Sequence, residues 1–184
     1  MRLAKLTTVA LLSILAAWAG EVPRPAPPLS LLTPNAERVS LENYLGKVVL
    51  LEFFLTDCPH CQRSAGVIMP IYKEWRSRGL EVLAVAINPD AMLRIAEFVQ
   101  RFGVTYPIVL GNRLTLTTFA DLSAVTRFFV PYVFLIDRQG IIRYEHAGGD
   151  QAFYQNEAQN LRAELDTLLK EPAHLRKTAH KASK

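Results

Sequence analysis

Two cysteines, Cys58 and Cys61, have the clearest capacity for chemistry in this chain, and the sequence contains no others. Pro59 follows the first one, and proline suits the first position of a helix because its φ is already helical and it has no N–H to lose. A helix that begins there places Cys58 at its N-terminus and Cys61 one turn further on, on the same face. The unpaired N–H groups and positive dipole end stabilise a thiolate at that place. The spacing therefore predicts two thiols that form and break a disulfide.

A static disulfide is the alternative for these two cysteines. A bond that closes a loop of four residues restricts the unfolded chain little, so it would stabilise the fold only weakly. The rest of the sequence shows no need for such a link, and the pattern favours a redox pair.

An acidic residue interrupts the stretch that leads into the cysteines. Residues 48–54 are otherwise apolar, which is typical of a strand buried on both faces. A buried carboxylate is costly unless it is paired or protonated, so the presence of Glu52 needs a reason. If one face of the strand were open, Glu52 would be solvated, and both interpretations stand at this point.

The N-terminus has the features of a secretory signal peptide over residues 1–19. A basic start and an apolar centre precede Ala-Trp-Ala, a small-x-small cleavage site. We expect cleavage after Ala19, with an uncleaved N-terminal membrane anchor as the alternative. No cysteine follows the cleavage site, so a lipid anchor of the bacterial lipoprotein kind is not supported. The protein is therefore expected to be exported to a periplasmic or extracellular location, where disulfides persist.

Length and composition indicate one globular domain. The chain has 184 residues, half of them hydrophobic, which suffices for a sizeable core. Its net charge of +4 falls to +2 when the two cations of the signal peptide are removed (4 − 2 = 2), so the charge gives little reason to expect nucleic acid as a partner. We expect a proline-rich linker at 20–28, the domain at 29–170 and a basic, disordered tail at 171–184.

The rest of the pattern alternates strands and helices. Short apolar pieces around Thr33-Pro34-Asn35 predict a hairpin over residues 29–41. Strands are predicted at 48–54, 80–87, 106–110, 132–136 and 141–145, and helices from 58 to about 78, from 91 to 102, from 114 to about 125 and from 151 onward. Pro70 is expected to bend the first helix, and Met92 to belong to the apolar face of the second. This order predicts an α/β fold with a central mixed β-sheet flanked by helices.

Five segments make the chain similar to thioredoxin-fold thiol-disulfide oxidoreductases, and most closely to the TlpA/ResA-like redoxin branch. They are G-K-V-V-L-L-E-F-F at 46–54, C-P-H-C at 58–61, G-L-E-V-L-A-V-A-I at 79–87, F-G-V-T-Y-P-I at 102–108 and V-P-Y-V-F-L-I-D-R-Q-G at 130–140. The resemblance covers about residues 28–170. It implies a thioredoxin-like fold with an N-terminal β-hairpin and the helix-strand insert that marks this branch.

The chain departs from the family pattern at three places around the cysteines. Asp57 stands where relatives usually have tryptophan, and Gly66 where they usually have a helix proline. Ser64 replaces the carboxylate that some ResA-like members carry three residues after the second cysteine. These differences bear on the redox potential and the partner surface, and they leave the expected fold unchanged.

The resemblance assigns roles to the cysteine motif. Cys58 is the expected nucleophile, and Cys61 is expected to resolve the mixed disulfide by attacking the Cys58 sulfur. His60 would lower the pKa of the Cys58 thiol and make the disulfide a stronger oxidant, as the same Pro-His pair in DsbA suggests. Asp57 opposes this effect because a nearby carboxylate disfavours the thiolate. The alternative for His60 is a merely exposed side chain.

Four further residues are expected to serve the cysteines. Glu52 falls where thioredoxins keep a buried acid, so the resemblance implies that it takes the proton of Cys61, with a pKa raised by burial. Val130 and Pro131 match the family's cis-proline segment, which lies against the cysteine pair and offers backbone groups to an extended substrate. Pro59 is expected to contact substrate beside them. The alternative for Pro131 is an ordinary trans proline at a strand start.

The predicted activity is disulfide exchange with cysteine-containing exported proteins, without a cofactor. A second thiol-disulfide partner, membrane-bound or soluble, would reset the dithiol. The sequence leaves open whether the dithiol reduces or oxidises its partners. The resemblance to the redoxin branch suggests reduction during cytochrome c maturation, and the Pro-His pair suggests a more oxidising potential.

Two other functions are alternatives. A copper(I) metallochaperone could use both cysteines with a histidine. Copper-carrying relatives, however, space their cysteines by three residues and add a distant histidine, and here the spacing is two and only His146 is available. A thiol peroxidase would need an arginine near the place of Pro131. We therefore predict no metal site.

Overall fold

An eight-stranded sheet runs through the part of the chain that the structure describes. The structure is a computed structural model, and it describes residues 21–123 and 125–172. The strands are β1 (Arg24–Pro25), β2 (Ser30–Leu32), β3 (Arg38–Ser40), β4 (Val48–Phe54), β5 (Leu80–Ala86), β6 (Ile108–Leu110), β7 (Tyr132–Ile136) and β8 (Ile141–His146). Their order across the sheet is β1-β8-β7-β4-β5-β6-β2-β3. Because β4 is parallel to β5 and antiparallel to β7, the sheet is mixed, as predicted.

Helices cover both faces of this sheet. Those of the described residues are α1 (Pro59–Trp75), α2 (Ala91–Phe102), α3 (Arg113–Phe119), α4 (Gln151–Tyr154) and α5 (Glu157–Lys170). The buried side chains of α1, α2, α4 and α5 share one apolar cluster with one face of the sheet. Those of α3 share a second cluster with the opposite face and with the N-terminal hairpin. The predicted arrangement of a mixed sheet between helices is confirmed.

The side chains of β4 alternate between these two faces, as the period of a strand requires. The even-numbered apolar residues of β4 pack beneath α1, and the odd-numbered ones pack on the α3 side. Glu52 has an even number, so its side chain enters the layer between the sheet and the helix that carries the cysteines. The strand as a whole is buried on both faces.

The predicted hairpin and the end of the first helix are also confirmed. β2 and β3 are antiparallel, with Leu31 opposite Val39. After α1, one 3₁₀ turn (Arg76–Arg78) leads to Gly79, whose φ of 98° lies in the left-handed region that favours glycine. The chain then enters β5 directly.

The prediction of a linker at 20–28 is wrong for its central residues. Arg24 and Pro25 form β1, which pairs with β8 at the sheet edge, where a proline costs no ladder hydrogen bond. The Arg24 side chain is buried, and its Nη2 lies 2.9 Å from Glu145 Oε2. The hydroxyl of Tyr132 donates to the other oxygen of Glu145 at 2.6 Å. The domain therefore includes residues before its predicted start at 29.

The helices differ from the prediction in three details. Met92 is 54% exposed because the buried face of α2 consists of Ala91, Ile95 and Phe98, so that Ala91 takes the core position predicted for Met92. α3 ends at Phe119, several residues short of the predicted end near Val125. The last predicted helix is two helices, α4 and α5.

Asp150 caps the first of these two helices, as predicted, and its Oδ1 accepts from the backbone N–H of Phe153 at 3.1 Å. α1 continues as a helix through Pro70 without interruption.

The predicted signal peptide at 1–19 lies outside the described residues, and so does the tail at 171–184 beyond its first two residues. No helix within the described ranges combines the length and the apolar character that a membrane span requires.

Replacing Arg24 should destabilise the domain. Arg24→Met keeps an apolar stem but leaves the Glu145 carboxylate, which is only 14% exposed, without its cation. Loss of one partner of a buried ion pair costs roughly 3 kcal/mol, so we expect a loss of about that size in the free energy of unfolding, measured by urea titration.

Arg38→Met is the matched control, because Arg38 lies on an exposed edge strand and should change stability by no more than about 0.5 kcal/mol. Equal and small effects of both substitutions would mean that β1 contributes no more than a linker would.

Candidate active site

The two cysteines differ sharply in exposure. Cys58 is the residue before the first turn of α1, in an extended conformation, and its carbonyl accepts the backbone N–H of Gln62 at 3.0 Å. Its side chain is half-buried, whereas Cys61 is 0% exposed. Both thiols are free, and the nearby Cys58 side chain adds to the rise in the pKa of the Cys61 thiol. The geometry predicted for the pair is therefore present, with one sulfur facing outward and one inward.

A cis-proline loop lies against the outward sulfur. The Val130–Pro131 bond is cis, as predicted, and Cys58 Sγ lies 3.8 Å from the Val130 carbonyl oxygen, which accepts from the thiol. Pro131 itself is buried. The loop therefore places a backbone acceptor beside the reactive sulfur.

Two residues that the sequence did not single out hold this loop in place. Tyr154 of α4 donates its hydroxyl to the Pro131 carbonyl at 2.7 Å, and the same oxygen lies 3.2 Å from the His146 carbonyl. Gly148 packs so closely that a Cβ there would come within 2.7 to 2.8 Å of the backbone of Phe129 and Val130. The backbone N–H of Gly148 also donates to the Phe129 carbonyl at 3.2 Å.

An open groove of about 740 Å³ begins at the cis-proline loop. Its lining includes His60, Phe129, Pro131, Tyr154 and Glu157. The Phe129 side chain is 68% exposed at the edge of the groove. The groove therefore joins the cis-proline loop to the side of α1 that carries His60.

Glu52 lies behind the cysteines and is buried. It is 2% exposed, so the alternative of a solvated strand face is wrong. Burial raises its pKa to about 8, the nearby Ser64 side chain lowers it, and the neighbouring Glu157 charge raises it further. Burial also raises the pKa of the Cys61 thiol, and the Glu52 charge adds to this effect. At neutral pH both groups are therefore neutral in the reduced protein.

A second buried acid lies beside Glu52. The Ser64 hydroxyl donates to Glu157 Oε1 at 2.6 Å, and Glu157 is 7% exposed. Burial raises the pKa of Glu157, while the Ser64 hydrogen bond lowers it. The sequence contains a signal for Glu157, because it precedes Leu161 and Leu165 at intervals of four and so lies on the buried stripe of α5.

The remaining predicted residues lie at the surface. His60 is exposed, and its Nδ1 is 3.4 Å from a guanidinium nitrogen of Arg63. Asp57 and Pro59 are exposed as well. The role of His60 toward the Cys58 sulfur stays a prediction.

His146 is occupied by other partners. Its two ring nitrogens lie 3.0 Å from Asp150 Oδ2 and 3.0 Å from Glu164 Oε2, and its ring stacks on Phe153 at 3.6 Å. Burial lowers the pKa of this imidazole, but the hydrogen bonds to the two carboxylates raise it above its usual value. No group of three or more His, Cys, Asp or Glu side chains among residues 21–123 and 125–172 is arranged to hold a metal ion.

This chain has relatives among known proteins. The family model described as Redoxin matches residues 21–165. The thiol-disulfide oxidoreductase ResA of Halalkalibacterium halodurans is 32% identical over 115 residues, which cover 62% of this chain and 62% of that protein. ResA of Bacillus subtilis is 30% identical over 115 residues, covering 62% and 61%. The chain thus spans about three fifths of the length of these curated relatives.

Solved structures show the fold. The crystal structure of a putative thiol:disulfide interchange protein DsbE from Chlorobium tepidum has a TM-score of 0.62 and 23% identity, and covers 78% of this chain and 96% of that one. The solution structure of a putative protein disulfide isomerase from Bacteroides thetaiotaomicron has a TM-score of 0.65 and 21% identity, covering 82% and 91%. The predicted thioredoxin-like fold is confirmed.

Adding a methyl group at Gly148 should disturb the cis-proline loop. Gly148→Ala forces the Cβ into the backbone of Phe129 and Val130, and overpacking of this kind costs about 1 to 3 kcal/mol. We expect a loss of that size in thermal or urea unfolding. Gly149→Ala is the control, since its Cβ would meet only Phe129 Cδ2 at an ordinary 3.6 Å. Equal stability of the two variants would contradict the close packing.

The stability of the reduced protein should fall as pH rises from about 5 to about 8, and Glu52 should contribute to this fall. Its pKa is about 8 in the folded protein against 4.5 for a glutamate side chain free in water, so the folded state binds the proton more tightly across this window. Ionisation therefore favours the unfolded chain, with a slope of up to about 1.4 kcal/mol per pH unit.

Glu52→Gln removes this titration. Glu157 and His146 also have raised pKa values and contribute in the same direction in both proteins, so the difference between the two isolates Glu52. We expect the difference in the free energy of unfolding to change with pH in urea titrations. The exposed control Glu97→Gln should give a curve parallel to the wild type, and a parallel curve for Glu52→Gln would refute the assignment.

Proposed function

The chain belongs to the redoxin family, and we propose that it is a thiol-disulfide oxidoreductase in which Cys58 exchanges disulfides with cysteine-containing proteins. The observation that carries the proposal is the asymmetry of the cysteine pair. Cys58 is partly open to solvent at a helix N-terminus and 3.8 Å from the cis-proline loop, whereas Cys61 is buried within the first turn of the same helix. A substrate can reach only the first sulfur, and the second is placed to react with the first.

The reaction would proceed in two exchanges. The Cys58 thiolate attacks one sulfur of a substrate disulfide, a mixed disulfide forms, and the other substrate sulfur leaves as a thiolate that takes up a proton. Cys61 then loses its proton and attacks Cys58 Sγ, which releases the second substrate sulfur. Two electrons pass to the substrate, and the chain is left with a Cys58–Cys61 disulfide. Oxidation of a dithiol substrate follows the same steps in reverse.

Glu52 supplies the base for the second exchange. Its carboxyl group lies in the same buried layer as Cys61, and a negative charge on Glu52 raises the pKa of the Cys61 thiol. The Cys61 thiolate can therefore form only if the thiol proton moves to a nearby acceptor as the sulfur reacts. Glu52→Gln would keep the shape of the side chain and remove this acceptor.

The groove beside Pro131 is the place for the substrate chain. Backbone groups of the cis-proline loop face the Cys58 sulfur, and the exposed Phe129 ring offers an apolar contact. These features suit an extended segment that carries a cysteine, bound mainly through its backbone.

We propose reduction of partner disulfides as the direction in the cell. An oxidant such as DsbA depends on a reduced form that is stabilised, and here burial and Glu52 keep Cys61 as a neutral thiol. Equilibration with glutathione should therefore give a potential closer to that of thioredoxin, about −270 mV, than to that of DsbA, about −120 mV. A value near the DsbA end would reverse the proposed direction.

The cellular setting is also a proposal. An exported location, periplasmic or extracellular, is supported by the predicted signal peptide at 1–19. Exported proteins with cysteines would be the substrates, and a second thiol-disulfide protein, soluble or in the membrane, would return the dithiol to its reduced form. Service to cytochrome c maturation rests on the resemblance to the redoxin branch.

The copper(I) alternative receives less support. Its third ligand would have to be His146, whose two ring nitrogens are held by Asp150 and Glu164. Tight stoichiometric copper(I) binding by a protein without exchange activity would favour the metal carrier.

The two cysteines should give opposite results when replaced. Cys61→Ser should accumulate a mixed disulfide between Cys58 and insulin, because the exposed thiol still attacks and nothing resolves the product. Cys58→Ser should form no adduct, since the remaining thiol is 0% exposed. Mass spectrometry of the adduct and insulin reduction by the wild-type protein are the measurements. An equal yield of adduct from both variants, or no insulin reduction by the wild type, would contradict the proposed function.

A further inference from the structure

Three buried polar side chains from three separate elements meet behind Cys61. Glu52 comes from β4, Ser64 from α1 and Glu157 from α5, and they are 2%, 0% and 7% exposed. The Ser64 hydroxyl donates to Glu157 Oε1 at 2.6 Å, and the same side chain is close enough to Glu52 to lower the pKa of its carboxyl group. One hydroxyl therefore stands between two buried carboxyl groups.

A hydroxyl has a single proton, so Ser64 can donate to only one of the two carboxyl groups at a time. The other carboxyl group can bond to the Ser64 oxygen only as a donor, which requires that it carry a proton. The pair Glu52 and Glu157 is therefore best satisfied when it holds one proton between its two members. Two buried carboxylates in this place would be costly, because burial disfavours each charge and the two like charges repel each other.

The two acids differ in their access to solvent. Glu157 lines the open groove beside Pro131, whereas Glu52 lies under the helix, and its Oε1 has no hydrogen-bond partner within the described ranges. A proton on Glu52 has no route to the groove through its own contacts. Ser64 and Glu157 supply one.

We propose that Ser64 and Glu157 form a proton relay that connects Glu52 to the groove. The inference deepens the proposed disulfide exchange and rests on it, since it concerns the proton that Cys61 must lose in the second exchange. Neither residue contacts the reacting sulfurs in this scheme, and both act through Glu52.

The relay moves one proton for each exchange. Glu52 starts protonated and donates to Ser64, which donates to the Glu157 carboxylate. Both protons then shift along these hydrogen bonds, so that Glu157 becomes protonated and Glu52 becomes a carboxylate. Glu52 takes the proton of Cys61 as this thiol attacks Cys58 Sγ, and Glu157 releases its proton to the groove. The pair again holds one proton, on Glu52, and is ready for the next exchange.

Other groups face this relay and set its protonation. They are the Cys61 thiol, the hydroxyls of Tyr106 and Tyr154, and the Arg63 guanidinium. Burial raises the pKa of both tyrosines, and the Glu52 charge raises them further, so they stay neutral near pH 7. Arg63 lowers the pKa of Glu157, which favours a carboxylate at the groove end of the relay.

The test follows the two exchanges separately. Reduced full-length protein is mixed with dithiobis(nitrobenzoate), an aromatic disulfide that releases one coloured thiolate when Cys58 attacks it and a second when Cys61 resolves the product. Absorbance then reports two phases, and only the second should depend on the relay. Absence of the second release in the wild type would contradict the proposed function itself, before the relay comes into question.

Glu157→Gln is the decisive variant. Gln keeps the size and the hydrogen-bonding oxygen but cannot carry a proton, so the rate of the second phase relative to the first should fall roughly tenfold near pH 7. If Glu157 were only a neighbouring charge, its removal would lower the pKa of Glu52 and the second phase would accelerate. An accelerated or unchanged second phase would therefore overturn the relay.

Ser64→Ala and Ser64→Thr form the second pair. Ser64→Ala removes the hydroxyl and should lower the rate of the second phase below about pH 8. Above the pKa of Glu52 that group is already ionised, so the rates of Ser64→Ala and the wild type should converge. Ser64→Thr keeps the hydroxyl and should retain the wild-type second phase. Equal slowing in both variants, with equal losses of thermal stability, would mean that Ser64 acts through packing and would overturn its part in the relay.

Discussion

The burial of a carboxylate beneath the cysteine helix is the constraint on which this site depends. Glu52 lies in the middle of a strand that is buried on both faces, where an isolated charge is costly. Its proton is therefore held until a partner can take it, as its pKa of about 8 reflects. Cys61 shares this environment, and ionisation of either group opposes that of the other. In the proposed function, this shared burial couples proton transfer to the sulfur chemistry.

The start of α1 gives the two sulfurs different surroundings. Cys58 precedes the first turn and keeps part of its surface open, and Cys61 lies three residues later, against the core. The cis-proline loop completes this arrangement only because other elements hold it, through the Tyr154 hydroxyl and the close approach of Gly148. A site of this kind depends as much on the residues that brace the loop as on the cysteines.

The departures from the family pattern acquire a meaning in three dimensions. Some ResA-like relatives carry a carboxylate three residues after the second cysteine, and this chain has Ser64 there. The structure places Glu157 of α5 against that serine at 2.6 Å. An acid is therefore present in this region of the site, but it comes from another helix and reaches Glu52 through a hydroxyl.

Much of the fold was predictable from the sequence because it depends on local patterns. Continuous apolar runs marked β4 and β5, and proline after cysteine marked the start of α1. The family resemblance added the cis peptide bond before Pro131.

Contacts between distant segments had to come from the tertiary structure. Arg24 belongs to the sheet because Glu145 lies across from it, and Ser64 meets Glu157 across 93 positions of sequence. Each of these residues is polar, and no local pattern records which partner will satisfy it, even where the apolar stripe of α5 marks Glu157 as buried. The sequence by itself determined the elements and the reactive pair, and only the packing of those elements decided which polar groups share a proton, because burial and hydrogen bonding depend on chains that meet in space.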